Sequence, residues 1–146
     1  MRPITRIYVH CSATKPGMYI GAEEIRRWHM EGNGWSRIGY HRIIRRSGEI
    51  EFGLPLNKKG IHVRGDNANT LAICMVGGID EHGKPDNNFT EEQWESLAIT
   101  KQYFDRMFPE AEWLGHRDHP KANKACPSFD VAEWAASQAF STGGGF

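Results

Sequence analysis

Two histidines and one cysteine stand where the sequence could hold a metal. His10 ends the apolar run ITRIYVH before the polar CSAT, and His116 ends AEWLGH before the polar RDHPKANK. Ligand sites in α/β sheets form beyond the ends of strands. With Cys126, in KACPSFD, these residues make a three-ligand set that leaves one tetrahedral position for water. That is the arrangement of catalytic rather than structural zinc.

The spacing alone leaves other ligand sets open. Cys11 is adjacent to His10, so on an extended chain only one of the two side chains can face the site. His119 precedes Pro120 and could replace His116. The three residues do not form a compact motif, and unrelated residues scattered along a chain can show the same spacing. The sequence has no HExxH motif, which argues against the helix-borne mechanism of many zinc proteases.

Other candidate residues have ordinary structural explanations. Tyr40 and His41 are neighbours in an expected strand, so their side chains should point to opposite faces, and only one of them can face the site. His29 lies on the inner face of an expected helix. Cys74 lies in the apolar run LAICMV, and a buried thiol that acts as a small hydrophobe explains it.

Strands and helices alternate along the chain. Strands are expected at residues 4–10, in a hairpin that turns at Ser47-Gly48, and in TLAICMVGG and AEWLGH. Helices are expected in GAEEIRRWHMEG, after a capping box of Thr90 and Gln93, and after Asp130, which is followed by Glu133. The residues expected on the inner helix faces are Ala22, Ile25, Trp28 and His29; Trp94, Leu97, Ala98, Phe104 and Phe108; and Val131, Trp134, Ala135 and Ala139. The pattern predicts an α/β fold with a central mixed β-sheet flanked by helices.

Length and composition fit one domain. The chain has 146 residues, 39% hydrophobic and 25% charged, so we expect one domain over residues 1–140 and a flexible tail, STGGGF, over 141–146. Zero formal net charge argues against a nucleic-acid binder. No apolar run approaches ~18 residues, so no membrane span is expected. Three cysteines and no signal peptide argue against a disulfide framework, and we expect a monomer.

Five segments resemble a known family. They are YVHCSATKP, EIRRWHMEGNGWSRIGYHRII, TLAICMVGGID, NNFTEEQWESL and KACPSFD. In this order they closely resemble the phage-type N-acetylmuramoyl-L-alanine amidases, a type 2 amidase family whose fold is shared by the peptidoglycan recognition proteins. The resemblance extends from about Arg6 to about Trp134, which is nearly the whole chain. The segment between His116 and Cys126 is longer than in the close phage members, although KAC itself is intact.

The resemblance implies a role for each matching residue. Implied are one zinc ion per chain on His10, His116 and Cys126, catalytic roles for Tyr40 and Lys124, and a substrate groove lined by His62, Gly65 and Asn67. Zinc lowers the pKa of a bound water to around 7. Lys124 would stabilise the oxyanion that develops on the amide, and Tyr40 would hydrogen-bond the water or the oxyanion.

The function that the resemblance implies is an endolysin. Such an enzyme hydrolyses the amide between N-acetylmuramic acid and L-alanine in peptidoglycan, and waits in the host cytoplasm until the membrane is permeabilised. One alternative is a non-catalytic peptidoglycan-binding module, which the presence of Cys126 disfavours. The other is a regulator that inhibits phage RNA polymerase. A phage member of the family uses an N-terminal arm for that activity, and this chain starts almost at the first strand, so we expect the inhibition to be weak or missing.

Overall fold

Residues 2–122 and 125–144 are described by a computed structural model of the chain. In these residues five strands form one sheet in the order β3-β2-β4-β1-β5. The strands are β1 (Arg6–Cys11), β2 (Arg42–Ile44), β3 (Ile50–Phe52), β4 (Thr70–Met75) and β5 (Glu112–Gly115). The pairs β1–β4, β1–β5 and β2–β4 are parallel, whereas β2–β3 is an antiparallel hairpin. The predicted mixed sheet is therefore confirmed.

The parallel strands bring two of the candidate ligands to the side of the sheet where the carboxyl ends of the strands lie. Val9 of β1 pairs with Gly115 of β5, so the next residues, His10 and His116, lie side by side near the carboxyl ends of these strands. Strand β4 lies between β1 and β2 and is buried at every position. Such a strand reads as a continuous apolar run because both of its faces are covered.

Helices cover both faces of the sheet. Helix α1 (Ala22–Arg27) continues into a π-helical turn at Trp28–Gly32, and α2 (Glu91–Met107) and α3 (Val131–Gly144) follow later in the chain. Leu71, Ile73 and Met75 of β4 pack in the larger core cluster, to which α2 and α3 contribute. Cys74 packs instead with Ala22 and Ile25 of α1 in a smaller cluster. The alternation of side chains along β4 thus separates the two layers.

The helix boundaries follow the predicted caps. The N–H of Gln93 donates to Thr90 Oγ1 at 3.1 Å, and Gln93 Oε1 accepts from the N–H of Thr90 at 2.9 Å. Asp130 Oδ1 accepts from the N–H of Glu133 at 3.0 Å. These bonds satisfy N–H groups that have no partner within the helix.

One inner-face prediction is wrong. Trp28 is 40% exposed, whereas Ala22, Ile25 and His29 are buried as expected. Trp28 stands where the α-helical repeat gives way to the π-helical turn, and the wider turn changes which side chains face inward.

The C-terminal end of the chain leaves one prediction open. Helix α3 extends to Gly144 and so overlaps the segment 141–146, whose flexibility stays a prediction. Residues 145–146 and the side chain of Ala139 lie outside the described part of the structure. Among the described residues, no helix combines the length and the apolar character that a membrane span requires.

Candidate metal centre

The three predicted ligands meet at the edge of the sheet. The ligand atoms of His10, His116 and Cys126 all lie within 4.8 Å of one another. His10 is the fifth residue of β1 and is 1% exposed, and His116 begins the 3-10 turn that follows β5. The N–H of Arg117 donates to the carbonyl of Cys126 at 2.8 Å and ties the cysteine loop to that turn. Neither rival, Cys11 or His119, belongs to this donor group of the described residues.

The chemistry of the donor set fits zinc. Zinc is a cation of borderline softness that binds both imidazole nitrogen and the softer thiolate sulfur, and catalytic zinc is held by three-residue sets of such ligands. The backbone N–H of Cys11 donates to Cys126 Sγ at 3.1 Å. A hydrogen bond with the Cys11 thiol, and then burial, raise the pKa of the Cys126 thiol, whereas this N–H opposes the rise. A cation held by the two histidines would favour the thiolate further.

Tyr40 lies beside the donor group. Its ring centroid is 5.1 Å from that of His10. Burial, and after it the nearby cysteine sulfurs, raises the pKa of Tyr40 well above 10, so the phenol stays protonated and can donate a hydrogen bond. Strand β2 begins only at Arg42, so Tyr40 and His41 precede it rather than lie in it, which corrects the prediction. Lys124 lies outside the described residues, and its catalytic role stays a prediction.

The residues expected in the substrate groove lie in the segment between β3 and β4. His62 Nδ1 is 2.9 Å from His10 Nε2, and His62 Nε2 is 2.9 Å from Thr70 Oγ1. Asn67 Oδ1 accepts from the N–H of His62 and of Val63, at 3.0 and 2.9 Å. These bonds engage His62 and Asn67 within the protein, and their contact with substrate stays a prediction.

Two further features of this segment bear on the site. Gly65 has a φ of +86°, which favours glycine. Burial, and after it the charges of His41 and His116, lower the pKa of His62 to about 3. The His62 ring is therefore neutral at the pH of cells.

Sequence reasoning missed two residues that support the site. His29 Nδ1 accepts from the N–H of Gly39 at 2.9 Å, and its ring centroid lies 5.2 Å from that of Tyr40, so His29 holds the segment that carries Tyr40. A histidine on an inner helix face before a glycine-rich segment was the available signal. Thr70 is the other missed residue, and nothing in the run TLAICMV distinguishes its hydroxyl from that of any threonine that begins a strand.

Comparisons with known proteins show what this chain is similar to. Residues 1–129 match the sequence profile of the N-acetylmuramoyl-L-alanine amidase family. The endolysin of Escherichia phage T7 is 46% identical over 128 residues, which cover 88% of this chain and 83% of that protein. The endolysin of Enterobacteria phage K11 is 45% identical over 130 residues, covering 89% and 84%. The solved structure of the N-acetylmuramoyl-L-alanine amidase LysC from Clostridium intestinale URNW superposes with a TM-score of 0.79 at 26% identity, covering 94% of this chain and 87% of that one.

Proposed function

The chain belongs to the N-acetylmuramoyl-L-alanine amidase family, and from this premise we propose that it is a zinc-dependent endolysin with its metal on His10, His116 and Cys126. The amidase activity and the peptidoglycan substrate follow from the family and from the endolysins that the chain resembles over most of its length. The zinc dependence is the further step. It is carried by one observation, the convergence of two imidazoles and a thiol within 4.8 Å at the edge of the sheet.

The reaction adds water across the amide between the lactyl group of N-acetylmuramic acid and L-alanine. The products are a carboxylate on the muramic acid and a free amine on the alanine. When bound, zinc supplies a Lewis acid that polarises a carbonyl oxygen and lowers the pKa of water to around 7.

The chain's own side chains would stabilise the charge that develops on the amide oxygen. Tyr40, which is protonated and lies beside His10, would donate a hydrogen bond to that oxygen or to the attacking water. We propose that Lys124 provides a cation for the same oxygen. Each such donor is typically worth ~10²–10³ in rate.

Metal analysis of the purified protein tests the zinc assignment. We expect about one equivalent of zinc per chain. Cys126→Ser should lose most of the bound zinc and the activity, because a hydroxyl is a far weaker zinc ligand than a thiolate. Cys74→Ser, at a buried cysteine outside the donor group, is the matched control and should keep zinc. Full zinc occupancy in Cys126→Ser would contradict the ligand assignment.

The products formed from purified peptidoglycan test the bond that is cleaved. We expect new amino-terminal L-alanine to appear in step with the loss of turbidity, without new reducing sugar ends. Reducing ends without new amines would indicate a glycosidase instead. Binding to peptidoglycan without release of either group would favour the alternative of a non-catalytic binding module. Inhibition of a phage RNA polymerase stays a separate prediction.

A further inference from the structure

A chain of hydrogen bonds leads away from the metal centre through His10. His10 Nε2 lies 2.9 Å from His62 Nδ1, and the other ring nitrogen of His62, Nε2, lies 2.9 Å from Thr70 Oγ1. Thr70 Oγ1 is in turn 2.8 Å from the carbonyl oxygen of Asp66, and the carbonyl of Asn67 is at 3.5 Å. The chain of bonds therefore ends on backbone carbonyls, which can only accept.

The acceptor carbonyls determine which group donates in every hydrogen bond of this series. A threonine hydroxyl has one proton, and the short contact with the Asp66 carbonyl is attractive only if Thr70 donates that proton to it. Thr70 Oγ1 must then accept from His62 Nε2, so His62 has its proton on Nε2. A neutral imidazole has one N–H, so His62 Nδ1 is an acceptor and His10 Nε2 is its donor. The proton of neutral His10 is therefore on Nε2, and Nδ1 keeps its lone pair.

This assignment requires a neutral His62, which its surroundings favour. In the described part of the chain, the polar atoms in hydrogen-bonding distance of the His62 ring belong to His10 and Thr70. Neither group has a negative charge that could balance an imidazolium. The carboxylate of Asp66 is directed elsewhere, since its Oδ2 accepts from the hydroxyl of Tyr8 at 2.7 Å and pairs with Arg6 at 3.3 Å.

The Asp66 carbonyl, at which the series of hydrogen bonds ends, is itself held in place. The bond from Tyr8 ties the Asp66 side chain to β1, and the N–H of Asp66 donates to the carbonyl of Val63 at 3.0 Å. Asn67 Oδ1 closes the same turn by accepting from two backbone N–H groups. The acceptor that determines the proton positions is therefore part of a turn bonded at several points rather than a free loop.

We propose that His62 and Thr70 are positioning residues that hold His10 in the tautomer whose proton is on Nε2. Nδ1, which has no proton in this tautomer, is then the nitrogen that binds the metal. The second half of this inference rests on the proposed zinc site, whereas the tautomer does not depend on zinc. Partners of this kind fix the orientation of a ligating histidine, and their loss typically lowers metal affinity ~10–100-fold.

Two measurements on the full chain test the proposal. Long-range ¹H–¹⁵N correlation spectra of the wild-type protein, with and without zinc, report which ring nitrogen of each histidine is protonated. We expect Nε2–H for both His10 and His62 without zinc, and the zinc-induced shift of His10 at Nδ1. The second measurement is zinc affinity by competition with a chromophoric chelator. Thr70→Val, which keeps the shape but removes the hydroxyl, should bind zinc ~10–100-fold more weakly.

Matched variants separate positioning from general destabilisation. Thr70→Ser keeps the hydroxyl and should restore wild-type affinity. Thr100→Val is the control. It removes another buried hydroxyl, which donates to the carbonyl of Ser96 at 2.8 Å on helix α2, and this variant should bind zinc normally.

The outcomes distinguish this inference from the proposed function. Absence of zinc binding by the wild-type protein would refute the zinc site, while the spectra would still test the tautomer. A proton on His10 Nδ1, or a doubly protonated His62, would overturn the inference even if zinc binds. Wild-type zinc affinity in Thr70→Val would overturn it as well.

Discussion

At the scale of single residues, Tyr40 is the side chain whose chemistry the structure constrains most. Burial raises the pKa of Tyr40, so its phenol is protonated and can donate a hydrogen bond. We expect Tyr40→Phe to keep about one zinc per chain and to lose ~10²-fold or more in kcat/KM, because the variant removes only the hydroxyl. Tyr103→Phe, at a half-exposed tyrosine on α2, is the control and should keep full activity. Near-normal turnover by Tyr40→Phe would refute the role.

Lys124 gives a second prediction at this scale. If its ammonium group stabilises the charge on the amide oxygen, Lys124→Ala should keep zinc and lose ~10²-fold or more in rate. Lys121→Ala is the matched comparison, since it removes the other lysine of KANKAC. Metal analysis and the release of amino-terminal alanine measure the two effects separately. An equal loss in both variants would point to the charge of the segment rather than to one catalytic lysine.

The residues that could be predicted from sequence are those at the ends of strands. His10 and His116 each follow an apolar run, and parallel pairing places them side by side. The position of His62 could not be predicted, because His10 is 52 residues away in sequence and Thr70, eight residues away, lies on a different strand from His10. Such contacts depend on the path of a loop, which local sequence patterns do not determine.

At the scale of elements, one buried glutamine joins helix α2 to the sheet. Gln93 is fully buried, and its Nε2 donates to the carbonyls of Ile44 at 3.1 Å and Val76 at 2.8 Å, at the ends of β2 and β4. Its Oε1 accepts from the N–H of Thr90 and from Arg46. The side chain therefore satisfies polar groups on the helix and on two strands at once.

Replacing this side chain should destabilise the fold. We expect Gln93→Leu to lower the free energy of unfolding by about 2–4 kcal/mol, because several buried polar groups lose their partners. Urea denaturation measures the change. Gln102→Leu, at an exposed position of the same helix, should change stability by less than about 0.5 kcal/mol. A similarly small effect of Gln93→Leu would show that water replaces the lost bonds.

Elements with strong local signals could be predicted well. The caps at Thr90 and Asp130 and the hairpin of β2 and β3 follow from short patterns whose bonds form within a few residues. The π-helical turn at Trp28–Gly32 could not be predicted, because its amphipathic pattern is close to that of an ordinary helix. That turn moved Trp28 out of the core and brought His29 against the segment before Tyr40.

At the scale of the whole molecule, the strand order is what the sequence left undetermined. Alternating strands and helices predicted a mixed sheet, but many orders satisfy that pattern. The observed order places β1 between β4 and β5, and this brings His10 next to His116 on one side. On the other side His10 pairs with Cys74 of β4, and it is linked to Thr70, the first residue of that strand, through His62. The metal centre and its hydrogen-bonded support are therefore a consequence of the topology as much as of the ligands.

The stability of the whole fold should depend on pH through His41, which is fully buried outside the donor group. Its Nδ1 accepts from the N–H of Ala72 at 3.0 Å, and its Nε2 lies 2.7 Å from the carbonyl of Lys58, to which it donates. Protonation would place an N–H against the N–H of Ala72. Burial first, and then the charges of Arg2, Arg42 and Arg37, lower the pKa of His41 from 6.5 to about 4.

The sign of the pH effect follows from that shift. Between about pH 6.5 and about pH 4 the unfolded chain binds a proton that the folded protein does not, so the stability contributed by neutral His41 is lost as the pH falls. From pH 7.5 to pH 5 the loss should be about 2 kcal/mol. Urea denaturation of the wild type and of His41→Gln at both pH values measures it, and the stability difference between the two proteins should shrink by that amount at pH 5. His82→Gln, in an exposed loop, is the control and should leave the pH dependence as in the wild type. An unchanged stability difference between the wild type and His41→Gln would refute the prediction, because it would mean that His41 has the same pKa in the folded and the unfolded chain.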